Sequence, residues 1–99
     1  MMPKIRPIHP GGIVREDILK ELGLTQEALA RAIGVSRRTV NELVRERRSI
    51  TAEMALKLGR FTKTTPEMWL NLQNALDLWD AYHTSESSIE CIKAFEEGV

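Results

Sequence analysis

Apolar residues recur along this chain at spacings of three and four, never in the strict alternation of a half-buried strand. Ile13, Val14, Ile18, Leu19 and Leu22 predict a first helix over about residues 13–22, leaving Arg15, Glu16, Lys20 and Glu21 outside. Gly23 stops it. Upstream, Pro3, Pro7 and Pro10 hold their predecessors extended, so residues 1–10 read as an arm. Two short helices follow with matched entrances. Thr25 and Ser36 are good N-caps, and Leu24 with Leu29, then Val35 with Val40, form hydrophobic staples at one spacing. The first of the pair ends at Gly34, and the second runs through Leu43 and Val44 to about Glu46. Thr51 opens a fourth helix with the face Met54, Ala55, Leu58 and Phe61, and Thr65-Pro66-Glu67 opens a fifth that reaches about His83. Residues 84–99 are rich in Ser and Glu. They read either as an irregular tail or as a short amphipathic segment through Ile89, Ile92 and Phe95. The pattern is all-α, in five helices.

The segment from Thr25 to Arg45 meets the physical demands of a helix-turn-helix. Ala30 is small enough for a close helix crossing, Gly34 tolerates positive φ in the tight turn, and Leu29, Ile33, Val35, Val40 and Leu43 supply a shared core. In that frame the second helix lies in the major groove, with Arg37, Arg38, Thr39, Asn41, Glu42 and Arg45 facing outward. Arg38 suits guanine and Asn41 suits adenine, each by a bidentate contact. Gln26 and Ser36 begin their helices, where side chain and amide together can take phosphate; Arg48 adds a cation from the next loop.

Composition first argues against a polyanion, because the 99 residues carry no net charge. The distribution reverses that reading. Residues 31–48 hold six basic side chains and two acidic ones, whereas residues 49–99 hold four basic and eight acidic. Such polarity orients docking on phosphate, although each charge taken alone is also consistent with a solvated face. Arg37 and Arg38 sit in a first helical turn, where the dipole makes cations unfavourable by up to ~1 kcal/mol each. The other helix starts place Glu27, Glu53 and Glu67 there instead.

The fifth helix carries more apolar surface than one core needs. Trp69, Leu72, Leu76 and Trp79 form one stripe, with Met68, Ala75, Leu78 and Tyr82 beside it. The first stripe reads as a homodimer interface on a helix over 66–83, unless the Ile89–Phe95 segment folds back over it. A two-fold dimer would set paired recognition helices ~34 Å apart on a palindromic site. His9, His83 and Cys91 lack metal-ligand spacing, and no phosphate loop or nucleophile motif is present. No membrane span, secretory leader or internal disulfide is expected. The reading is a cytoplasmic non-enzyme without a cofactor.

Pro7-Ile8-His9-Pro10-Gly11, then Arg15-Glu16-Asp17, the helix-turn-helix, Ile50-Thr51-Ala52 and the run from Thr65 to Gln73 (TPEMWLNLQ) together resemble the HigA antitoxins. These are a branch of the Xre/Cro repressor-like fold, and the resemblance covers about residues 6–82. It implies a lambda-repressor-like DNA-binding domain over 11–83 with a C-terminal dimerisation helix. It also implies an antitoxin that neutralises a small basic HigB toxin, a RelE-like mRNA interferase, and represses its own operon as a homodimer. The alternative is a stand-alone Xre-family repressor without a toxin. Two positions depart from the family pattern. Gly12 stands where relatives usually have Glu. Arg45-Glu46-Arg47-Arg48 replaces the usual Asn-Gly-Lys-Arg, which removes an easy helix stop and leaves the recognition helix free to run on.

Overall fold

The computed structural model describes residues 2–96, and among these it contains helices and no strand. Helix α1 opens as an α-helical turn at Pro10–Ile13 and continues in wider π-helical winding over Val14–Lys20. Then come α2 (Gln26–Ile33), α3 (Arg37–Val44), α4 (Ala52–Thr62) and α5 (Pro66–Glu90). The N-caps Thr25, Ser36, Thr51 and Thr65 each accept a hydrogen bond from the amide three residues on.

The first helix starts three residues before the expected Ile13. His9 is the reason: its Nδ1 accepts the Gly11 N–H at 2.9 Å, and Pro10 fills the first helical position. Burial pushes the His9 imidazole below the ordinary histidine range, which keeps Nδ1 free to accept. At Gly11 a Cβ would overlap the Leu43 carbonyl oxygen, so only glycine lets α1 approach the end of α3.

The four helices α1–α4 end in one way. Gly23, Gly34, Glu46 and Lys63 adopt left-handed backbone geometry. The next amide in each case returns five residues: Leu24 to Leu19 (2.8 Å), Val35 to Ala30 (2.9 Å), Arg47 to Glu42 (2.8 Å) and Thr64 to Gly59 (2.9 Å). The recognition helix therefore does not run on; it stops at Val44 without a glycine. A non-glycine residue in that geometry costs ~1–2 kcal/mol. Arg15 offsets part of this by holding the Glu46 carboxylate at 3.3 Å and capping the Val44 carbonyl at 2.6 Å.

The core joins Val14 and Ile18 of α1 to Leu29, Ala30 and Ile33 of α2, Val40, Leu43 and Val44 of α3, and Met54, Ala55 and Leu58 of α4. Trp69 of α5 closes it, its indole N–H donating to Thr64 Oγ1 at 3.0 Å. Among the described residues Gln73 is the one buried side-chain amide. Its Oε1 accepts the Ile50 N–H at 2.8 Å, and its Nε2 donates to Asp77 at 2.8 Å, tying the α3–α4 loop to α5.

The fifth helix passes the expected end at His83 and continues to Glu90, bent at Ser85 (φ −123°, ψ 26°). The bend lies where side chains compete for the helix carbonyls: Thr84 Oγ1 donates to the Asp80 carbonyl oxygen, and His83 Nδ1 hydrogen-bonds the Trp79 carbonyl oxygen, both at 2.8 Å. Tyr82 donates to Glu90 across it at 2.6 Å. Ile92 and Phe95 are exposed rather than folded back over α5, and residues 97–99 of the tail lie outside the described residues. The projecting helix accounts for dimensions of 59 × 24 × 21 Å.

Gln73→Leu keeps the volume of the side chain but orphans the buried Ile50 amide. Urea denaturation is expected to show a loss of about 1–3 kcal/mol.

Candidate nucleic-acid interface

Helix α3 is eight residues long and divides cleanly by side. Val40, Leu43 and Val44 are buried, which leaves Arg37, Arg38, Asn41, Glu42 and Arg45 on the outer side. Its first turn contains no acid, whereas the first turns of α2, α4 and α5 hold Glu27, Glu53 and Glu67. In place of an acid, that turn carries Arg37 and Arg38 against the helix dipole.

The side chains of this surface are pre-arranged. Asn41 Nδ2 donates to Gln26 Oε1 at 3.1 Å, linking the start of α2 to the middle of α3. That leaves the Asn41 oxygen and the Gln26 amide nitrogen as an adjacent acceptor and donor. Ser36 Oγ accepts the Thr39 N–H at 3.1 Å and shares a hydrogen bond with the Thr39 hydroxyl at 2.9 Å. Thr39 is thus half-buried and engaged with the cap. Glu42 Oε2 takes Arg38 Nε at 3.2 Å, while its Oε1 takes Arg48 Nη2 at 2.7 Å and Nε at 3.2 Å. Hydrogen bonds from Arg48 first, then Arg38, hold the Glu42 carboxyl below the usual range. Arg37 and Arg45 are exposed and form no ion pair with the described residues. Gln26, Ser36, Arg37, Arg38, Thr39, Asn41, Glu42, Arg45 and Arg48 thus come from the two helix starts, α3 and its following loop.

The stripe assigned to a dimer interface needs correction. Trp69 is 1% exposed and Leu76 2%, and Leu72 is packed against the same core. These positions face inward because α5 covers the bundle formed by the earlier helices. Trp79 alone of the four lies at an edge. Its indole N–H donates to the Pro3 carbonyl at 2.9 Å, and the His83 ring stacks on it with centroids 3.7 Å apart. Next to it Arg6 grips Asp80 through two 2.8 Å bonds and draws the N-terminal arm along α5. On α5 the large apolar side chain that faces outward from this stretch is instead Leu78, 60% exposed; Ile5 and Ile8 of the arm, Leu22 and Leu56 are exposed as well. Sequence periodicity found both stripes of α5 but held no signal for which one faced in. Contact between the arm and α5 was equally invisible, because its partners lie more than seventy residues apart in the chain.

Among the described residues no three His, Cys, Asp or Glu side chains are grouped to hold a metal ion, and no helix is long and apolar enough to cross a membrane.

A helix-turn-helix family model matches residues 16–69. The chain is 49% identical over 80 residues to virulence-associated protein I of Dichelobacter nodosus, covering 81% of this chain and 74% of that protein. It is 39% identical over 90 residues to antitoxin HigA-1 of Vibrio cholerae, covering 91% and 85%. Among solved structures, the Pseudomonas aeruginosa antitoxin HigA with the higBA promoter superposes with a TM-score of 0.83. It shares 45% identity over 95% of this chain and 100% of that one.

Proposed function

Because this chain belongs to the HigA antitoxin family of helix-turn-helix proteins, we propose that it binds a palindromic operator as a homodimer, represses its own operon and neutralises a HigB-like mRNA interferase in the cytoplasm. The observation that carries the DNA-binding part is the first turn of α3: two exposed arginines stand where the helix dipole disfavours them and no acid is present. Phosphate at that turn offsets the cost, and Gln26 and Ser36 beside it are placed to hold the backbone while Arg38 and Asn41 reach base edges. The likeness to an antitoxin solved with its promoter supports the same assignment. No cofactor or catalytic group enters this function.

The two-fold contact is assigned to the outer edge of α5 with the arm. Leu78 provides exposed apolar area on the helix, Ile5 and Ile8 provide it on the arm, and the Arg6–Asp80 pair fixes the arm against α5. A zero net charge suits a basic toxin less well than an acidic chain would, which keeps a repressor without a toxin as the second reading.

Arg38→Ala is expected to weaken binding to the operator by ~1–3 kcal/mol, measured by titration across a salt series. Undiminished affinity would place the reading face elsewhere. For the antitoxin activity, the test is co-expression with an adjacent reading frame that encodes a basic protein of ~100 residues, the size of one small domain. A stable complex and rescued growth are expected. A neighbour that neither binds nor is silenced leaves the repressor alone as the function.

A further inference from the structure

A carboxylate in the middle of a phosphate-seeking surface is unfavourable unless it has a task. Glu42 is that carboxylate: it lies on α3 between Arg38, one turn back, and Arg48 in the next loop, and its side chain is 29% exposed. Its two oxygens are divided between the two guanidiniums. Arg38 is held through Nε alone, so its Nη1–Nη2 edge, the edge suited to a bidentate guanine contact, is not used by Glu42. Arg48 is held through Nε and Nη2 on a single oxygen. Arg38 is otherwise 86% exposed and has no second anchor among the described residues.

Resting on the DNA-binding reading above, we propose that Glu42 is a specificity-determining positioning residue that lowers affinity for arbitrary duplex while sharpening the choice of sequence. It acts in two ways. By tethering Arg38 and Arg48, it keeps two cations from swinging freely onto whatever phosphate lies nearest, the contact that supplies sequence-independent affinity. By setting a negative charge at the groove, it penalises any register in which no base donor, such as a cytosine amino group, faces it. An operator that satisfies both arginines and the carboxylate incurs no such penalty.

The test compares the wild-type chain with Glu42→Gln, which keeps shape and removes charge. The probes are the best duplex that the wild type selects from a randomised pool and a mixed-sequence duplex of equal length, each titrated from low to high salt. Glu42→Gln is expected to bind the mixed-sequence duplex roughly tenfold more tightly and to lose roughly tenfold in discrimination. Its log–log salt slope on that duplex should steepen by about one to two, as the released arginines each gain a phosphate. The logo selected by the variant should carry less information at the positions under α3. Equal weakening on both duplexes, or an unchanged ratio and slope, would overturn the proposal and leave Glu42 a structural ion-pair partner. A wild type that selects no sequence and shows no salt-dependent binding would instead overturn the DNA-binding reading beneath it.

Discussion

Whatever α3 presents outward depends on three side chains that it buries. Val40, Leu43 and Val44 are the whole inward face of an eight-residue helix, which is only ~12 Å long and too short to persist alone in water. Their burial, chiefly against α1 and α2, supplies the stability that helix propensity cannot. The surrounding devices serve the same end. Gly11 lets α1 close on the Leu43 carbonyl, Arg15 caps the last turn at Val44, and Gln73 holds the departing loop at Ile50. The outer face is consequently fixed by the core behind it, and several of its polar side chains are hydrogen-bonded to one another.

Electrostatics then divides the molecule by task. The first turn of α3 concentrates cations where an isolated helix would place acids, while the rest of the chain carries the balancing negative charge. On the outer face Glu42 binds two arginines and Gln26 binds Asn41, so rotamer freedom is reduced before docking. Ser36 and Thr39 are tied to each other at the cap. Arg37 and Arg45 are exposed and have no ion-pair partner among the described residues.

Much of this was legible in the chain because local rules decide it. Caps at Thr25, Ser36, Thr51 and Thr65, the staples, and the left-handed residues Gly23 and Gly34 each depend on neighbours a few positions away. The outer residues of α3 follow from the same periodicity. What escaped sequence reading was decided over distance. Two apolar stripes on α5 look alike along the chain, and only packing against the bundle made Trp69 and Leu76 core and left Leu78 outside. Gln73 reads as one polar residue in a helix until the Ile50 amide is found against it. Glu46 breaks the glycine rule at a helix end, and its compensation comes from Arg15, thirty-one residues earlier. His9 reads as an isolated imidazole, whereas its ring nitrogen starts α1 three residues early.

Methylation footprinting of the bound duplex tests most directly whether α3 reads the major groove. Dimethyl sulfate reports guanine N7 in that groove and adenine N3 in the other. Two α3 helices docked by a two-fold dimer predict protected guanine N7 positions in two blocks, centred about 10 base pairs apart. Protection confined to adenine N3, or guanines as reactive as in free DNA, would contradict the placement of Arg38 and its neighbours at the base edges.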